Sequence, residues 1–150
     1  MRYKIVNLFL LSLAVAIFCY IKYKDLQPVN IVAIHQDGFY TDILVKNFPL
    51  TDSGKITWWL KNKDLLKAKY NVPKPEKDDG YFFIKIWDFG SGYVEDDGYD
   101  RLCFADMKVK NHCIEKHPFL TIRNGKQSGL TFFTDTEHYK IDADGKYRKL

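Results

Sequence analysis

The apolar run from Ile5 to Ile21 constrains this chain most, because a segment of this composition must be surrounded by lipid or by protein. The residues that interrupt its apolar character are Asn7, Ser12, Cys19 and Tyr20. As a helix rising about 1.5 Å per residue, the run would be about 25 Å long, close to the thickness of the hydrocarbon core of a bilayer. We therefore expect a single membrane-spanning helix over residues 5–21.

The charges that flank this run favour a membrane segment over a nucleic-acid-binding protein. Four of the 23 basic residues lie in residues 1–24, whereas all 19 acidic residues lie after residue 24. The rest of the chain therefore has as many basic as acidic residues and is formally neutral. A nucleic-acid-binding domain needs its basic surplus on the folded surface. Basic and aromatic residues beside an apolar run are typical of membrane interfaces, and here they are Arg2, Tyr3, Lys4, Tyr20, Lys22, Tyr23 and Lys24.

Cys19 raises the question of whether the segment is processed. A lipoprotein needs a small residue before the modified cysteine, and Phe18 stands there. Ala14-Val15-Ala16 has the form that signal peptidase accepts. A cleavage site there would, however, lack a polar segment between the apolar run and the cut. We expect an uncleaved anchor over residues 1–24, with a cleaved signal as the alternative, and a globular domain over residues 25–150.

Two further cysteines, Cys103 and Cys113, predict a disulfide in that domain. An even number of cysteines in an exported domain indicates a disulfide bond, which persists in an oxidising compartment. Together with His112 and His117 they could also form a four-ligand zinc site, although the spacing differs from the usual pairs. The disulfide is the expectation, and it favours a domain outside the cytoplasm.

The domain reads as α+β, a small antiparallel sheet with one main amphipathic helix packed on it. Val29 to Lys46 predicts a hairpin that turns at Gln36-Asp37-Gly38, and Tyr81 to Phe89 predicts a strand rich in aromatic and β-branched residues. "FLTIRN", "LTFFTD" and "HYKID" predict successive strands, whereas Arg101 to His117 is ambiguous between strand pairs and a short helix.

The helix is predicted after a cap at Thr51, Asp52 or Ser53 and before Pro73. Helical spacing separates an apolar face from a wet, basic one. The apolar face holds Ile56, Trp59, Leu60, Leu66 and Tyr70, and the wet face holds Lys55, Lys61, Asp64 and Lys69. Trp58 lies at the edge of the apolar face, either as a flank of the core or as a contact for a partner.

Glu95, Asp96, Asp97 and Asp100 form the densest acidic cluster, in the loop "GSGYVEDDGYD". The ligand spacing of an EF-hand is missing, which argues against calcium. The loop is either a solvated face or a docking patch. If a partner is bound through charge, we expect Trp58, Lys61, Asp96, Asp97 and Asp100 to contact it.

No catalytic or cofactor motif is apparent. "FGSGY" places Ser91 between glycines without the frame of a nucleophile elbow, and "RNGKQSG" lacks the elements of a phosphate loop. We expect no enzyme and no cofactor. A small hydrolase built around Ser91, His112 or the acidic cluster is the alternative.

Several blocks of the chain are similar to a known family. "VAIHQDGFYTDILVKNFPLTDSGKITWWLKNKDLLKAKY", "WDFGSGY", "YDRLCFADMK" and "NHCIEK" together resemble the enterobacterial putative membrane protein family, domain of unknown function 943. The resemblance implies a short bacterial protein with an N-terminal span and a small globular domain. It implies no activity and no functional residues.

These observations predict a non-enzymatic protein-binding domain, anchored in the bacterial inner membrane and lying in the periplasm. A concrete form is an immunity protein that holds a delivered toxin at the membrane. The rival is an accessory subunit of a cell-envelope complex. We expect contact with the bilayer through residues 5–21 and with another protein, but not with nucleic acid.

Overall fold

The computed structural model describes residues 2–150 and has twelve helices and strands within them. Met1, the first residue of the expected cytoplasmic start, lies outside the described residues. The elements in chain order are α1 (Arg2–Leu26), β1 (Asn30–Asp37), β2 (Tyr40–Lys46), α2 (Asp52–Tyr70), β3 (Phe82–Asp88), β4 (Val94–Glu95), β5 (Arg101–Cys103), β6 (Asn111–Glu115), β7 (Pro118–Gly125), β8 (Gly129–Phe133), β9 (His138–Ile141) and β10 (Tyr147–Lys149).

Helix α1 is long and apolar enough to cross a membrane over Tyr3–Leu26, and none of this span is buried against the domain. The helix is longer than the predicted run because Lys22 to Leu26 continue it. Large apolar side chains along it are exposed, among them Leu8 and Phe18. Such a surface is stable in lipid and costly in water.

The domain has three layers, with α2 on one face of a seven-stranded sheet and a small three-stranded sheet on the other. The large sheet has the order β1-β2-β3-β7-β8-β9-β10, and the small sheet has the order β4-β6-β5. The main core lies between α2 and the large sheet and includes Ile43, Trp59, Ile84 and Phe132. Leu44, Trp87, Phe104 and Ile114 form a second core under the small sheet.

The α+β prediction is confirmed, but the large sheet contains one parallel pair, β2 with β3. Helix α2 connects these two strands and returns the chain to the end at which β2 began, so β3 must run in the same direction. The ambiguous segment from Arg101 to His117 forms strands β5 and β6. Two short strands, β4 and β10, were not predicted.

Thr51 is the N-cap of α2, since its side-chain oxygen accepts a hydrogen bond from the N–H of Gly54 at 3.0 Å. The prediction for Lys55 is wrong. Lys55 was placed on the wet face, yet it is only 6% exposed, and its ammonium lies 6.0 Å from the ring centre of Phe119. A long apolar stem that packs beside an aromatic ring explains this burial.

Candidate functional site

The outer edge of β1 is open over eight residues. β1 pairs with β2 on one side, and in residues 2–150 no strand pairs with it on the other. Its sequence, NIVAIHQD, carries no charge before Asp37. The opposite edge, β10, is three residues long and carries Arg148 and Lys149. Short, charged edges resist the addition of another strand, so β10 is protected and β1 is not.

A groove of about 260 Å³, here called the edge groove, lies between the start of β1 and helix α2. Its walls are about equally polar and apolar, and Leu65 in them is 61% exposed. The lining residues are Val29, Asn30, Ile31, Asn62, Leu65, Leu66, Lys69 and Tyr70. An open strand edge beside a groove that can hold side chains is the arrangement that binds an extended peptide as an added strand.

A β-bulge at Val32 positions the side chains of β1. The register shifts between Ile31 and Ala33, so that Ile31 and Ile34 both pack towards α2 while Ala33 packs on the second core. Val32 is left 38% exposed. The bulge therefore presents an apolar side chain near the open edge.

A second groove, here called the juxtamembrane groove, has a volume of about 560 Å³ and lies between the end of α1 and the start of α2. Trp58 and Lys61, two of the predicted contact residues, both line it. Trp58 is half-buried, with its ring 5.2 Å from that of Phe48, whereas Lys61 is exposed. The structure thus places these two residues beside α1, the candidate membrane-spanning helix.

Most carboxylates of the acidic loop pair with basic residues in the loop or in the strands beside it. Asp97 accepts two hydrogen bonds from Arg101, both 2.8 Å long, and these bonds lower the pKa of the Asp97 carboxyl to about 2. Asp100 pairs with Lys116, and Glu95 pairs with Lys110. Asp96 accepts a hydrogen bond from the N–H of Gly98 and forms no ion pair with another described residue. The lysines of α2 are not the partners of this loop.

Cys103 and Cys113 form the predicted disulfide, and they lie directly opposite each other in the pairing of β5 with β6. His112 lies within 4.8 Å of both sulfur atoms, whereas His117 is not part of this group of described residues. Because the thiolates that would bind a metal are joined in the disulfide, the oxidised site does not match a structural zinc centre.

The structure also assembles a polar cluster that the sequence did not reveal. The Nδ1 atom of His35 lies 2.8 Å from a carboxylate oxygen of Asp106, its Nε2 atom lies 2.9 Å from the hydroxyl of Tyr93, and its ring stacks on Phe104 at 3.8 Å. These residues come from β1 and from loops around the small sheet. No local sequence pattern marks these residues, and they are recognised only by their contacts in the folded protein. No sequence signal could therefore have identified the cluster.

This cluster joins the two sheets through His35, whose Nδ1 and Nε2 atoms both have partners in it. Burial raises the pKa of Tyr93, and the charge of Asp106 raises it further, which keeps the phenol neutral. Within residues 2–150, Ser91 forms no side-chain hydrogen bond to a histidine, and His112 instead lies 3.0 Å from the carbonyl oxygen of Lys110.

Asp42 lines the same cleft as His35. Burial raises its pKa, although a 2.6 Å hydrogen bond from the indole N–H of Trp87 acts in the opposite direction.

Comparison with known proteins identifies the family. The family model for domain of unknown function 943, described as an enterobacterial putative membrane protein, matches residues 2–150. The chain belongs to this family, as its sequence blocks indicated. The comparison with curated proteins found no match, and neither did the comparison with solved structures.

Proposed function

We propose that this member of the enterobacterial membrane protein family is a non-enzymatic binding protein that takes up an extended segment of another protein along strand β1. The observation that carries the proposal is the open edge of β1, uncharged before Asp37, beside the edge groove. A bound strand would pair with the free backbone groups of β1 and would place alternate side chains against Leu65 and Tyr70.

The contrast between the two edges of the sheet supports this proposal. An open edge is a hazard for aggregation, and proteins usually shorten it, charge it or cover it. This chain does so at β10, with Arg148 and Lys149, but not at β1. A long edge of the large sheet that is left unprotected is best explained by an occupant.

The proposed location of the domain is the periplasmic side of the inner membrane. The disulfide between Cys103 and Cys113 supports an oxidising compartment. Protease added to spheroplasts should digest the chain after about Lys24, since one helix would expose everything that follows it. A protected domain, or one released into the soluble periplasmic fraction, would contradict this topology.

A photocrosslinking amino acid at Leu65 tests the binding proposal in the native host. Val109, which is 57% exposed in the loop before β6, is the control position, since Leu65 is 61% exposed. We expect a discrete adduct with one protein from Leu65 and none from Val109.

The same adduct should disappear when Val32→Lys is introduced, because a charge beside an edge strand opposes strand addition. The matched control is Val109→Lys, which places the same charge on an exposed position away from the edge. An adduct that persists in Val32→Lys, or that forms equally from both positions, would refute strand addition at β1.

The more specific role, an immunity protein against a delivered toxin, stays a prediction. It requires that the captured segment belong to a toxin encoded beside this gene. Expression of that toxin in the same compartment should kill cells that lack the protein and spare cells that carry it. Protection that survives Val32→Lys would separate immunity from the edge groove.

A further inference from the structure

We propose that the juxtamembrane groove binds the headgroup of one anionic phospholipid. This groove adjoins the edge groove, since Val29 and Asn62 line both, and it adds a second ligand. The groove is lined by Lys22, Asp25, Leu26, Gln27, Pro28, Val29, Ser53, Gly54, Thr57, Trp58, Lys61 and Asn62.

The depth of the groove in the bilayer follows from the length of α1. The apolar run ends at Ile21, and the helix continues to Leu26. These five residues add about 7 Å at 1.5 Å each, which is about the thickness of one headgroup layer. The groove therefore opens at the level at which lipid phosphates lie, whichever side of the membrane the domain occupies.

The charges in the groove favour an anionic ligand. Lys22 and Lys61 contribute two ammonium groups, and neither forms an ion pair with a described carboxylate. Asp25 is the acidic residue of the groove, and its carboxylate is already occupied. One of its oxygens accepts hydrogen bonds from the N–H groups of Leu50 and Thr51, and the other accepts one from the Thr51 hydroxyl. The two ammonium groups outnumber this one carboxylate, so a net positive charge remains to bind a phosphate.

The apolar surroundings also match a lipid rather than a free anion. Tyr23, Leu26 and Leu50 are 63%, 82% and 51% exposed around the same end of α1. Trp58 adds an indole ring to the wall of the groove. Tyrosine and tryptophan are enriched where headgroups meet acyl chains. A lipid whose phosphate meets Lys22 and Lys61 would cover these side chains with its glycerol and upper acyl carbons.

The test uses the full chain in nanodiscs of phosphatidylcholine that contain a small fraction of phosphatidylglycerol. After transfer to mild detergent, native mass spectrometry counts the phosphatidylglycerol molecules retained by each protein. We expect one retained molecule and a loss of about fivefold in apparent affinity with Lys61→Gln, the effect of one lysine near an anionic surface. Lys61→Arg should keep the lipid.

The control is Lys63→Gln, an equal loss of charge about 200° around α2 from Lys61, facing away from the groove. Lys63 is exposed and lines a different pocket. Equal retention by Lys61→Gln and Lys63→Gln would overturn the site. So would equal retention of phosphatidylcholine, or release of the lipid by inorganic phosphate, since either shows that the groove does not select an anionic lipid.

Tryptophan fluorescence gives a second, independent measurement. Trp59 and Trp87 are buried, so brominated phosphatidylglycerol should quench mainly Trp58. The quenching should be lost in Trp58→Phe and reduced in Lys61→Gln, but not in Lys63→Gln. Quenching that is unaffected by Trp58→Phe would show that the lipid lies elsewhere.

Discussion

The carboxylate of Asp25 accepts a hydrogen bond from the backbone N–H of Thr51 at 3.1 Å. Asp25 lies in the last turn of α1, and Thr51 is the N-cap of α2. The same carboxylate oxygen accepts a second hydrogen bond, from the N–H of Leu50 at 2.7 Å. One side chain therefore connects the end of α1 to the start of α2, the two elements between which the juxtamembrane groove lies.

The substitution Asp25→Ala should loosen this connection. We expect faster amide hydrogen exchange at Leu50 and Thr51. We also expect the free energy of unfolding to fall by about 1–2 kcal/mol. This loss is in the lower part of the range for hydrogen bonds to a charged group, because Asp25 is half-exposed. Hydrogen-exchange mass spectrometry and melting of the full chain in detergent measure these effects. Asp78→Ala, at an exposed position in the turn before β3, is the control. Unchanged exchange at Leu50 and Thr51 would contradict the connection.

Gly54→Ala should destabilise the protein although alanine is the better helix former by about 1 kcal/mol. A Cβ at residue 54 would lie 2.8 Å from a carboxylate oxygen of Asp25 and 2.9 Å from the Cβ of Pro49. Overpacking of this kind costs about 1–3 kcal/mol. Melting of Gly54→Ala beside Ser53→Ala, an exposed neighbour in the same turn, measures the effect. A gain of stability in Gly54→Ala would show that the two helices are not in close contact.

Part of the stability lost in Gly54→Ala should be recovered when Asp25→Ala is added. The second substitution removes the carboxylate atoms that the Cβ of residue 54 would contact. A double-mutant cycle of the two positions measures this coupling. Strict additivity would indicate that the clash lies with Pro49 alone.

Removal of the disulfide should lower the stability of the domain by about 2–3 kcal/mol. The bond closes a loop of about ten residues and so lowers the conformational entropy of the unfolded chain. Cys103 and Cys113 should resist alkylation until a reductant is added, and Cys103→Ala should melt at a lower temperature. Cys19→Ser removes the free, exposed cysteine of α1 and is the control. Ready labelling of Cys103 and Cys113 in the untreated protein would favour free thiols or a metal.

Two aspartates should give opposite dependences of stability on pH. Burial raises the pKa of Asp42 above 3.8, so the folded state binds its proton more tightly than the unfolded state. Stability from this group is present below 3.8 and falls as the pH rises through the raised folded pKa. Asp42→Asn should remove that fall and keep an oxygen for the indole of Trp87.

Asp52 behaves in the opposite way. Burial alone would raise its pKa, but hydrogen bonds from Thr134, Tyr139 and Thr136 outweigh it and lower the pKa below 3.8. Its contribution to stability is present above pH 3.8 and is lost as the pH falls through the lowered folded pKa. Denaturant unfolding of the native chain, Asp42→Asn and Asp52→Asn across acidic pH tests both signs. Parallel pH profiles for the two variants would contradict the assignment.

Charge reversal in the acidic loop separates two possible locations for the protein partner. Asp96 lies on the surface without an ion pair to a described residue, so Asp96→Lys should change the melting temperature by under about 2 °C. We expect the crosslinked adduct from Leu65 to persist in Asp96→Lys. Its loss would place the acidic loop in the interface, as the sequence alone had predicted.

The sequence by itself determined the features that depend on local composition and spacing. The apolar run predicted α1, the spacing of Ile56, Trp59 and Leu66 predicted the packed face of α2, and the Asp-Gly turn predicted the first hairpin. The pairing of Cys103 with Cys113 was also predictable, because the domain contains no other cysteine. Each of these follows from neighbours along the chain, which a single sequence displays.

Only the tertiary structure decided which distant residues meet. The parallel pairing of β2 with β3, the open edge of β1, the contact of Asp25 with Thr51 and the cluster around His35 all join segments that are far apart in sequence. The burial of Lys55 shows the same limit, since helical spacing locates a residue on a face but does not reveal a phenylalanine that a later strand brings beside it. Such contacts are set by how the layers pack, because side-chain volume and charge act in space and not along the chain.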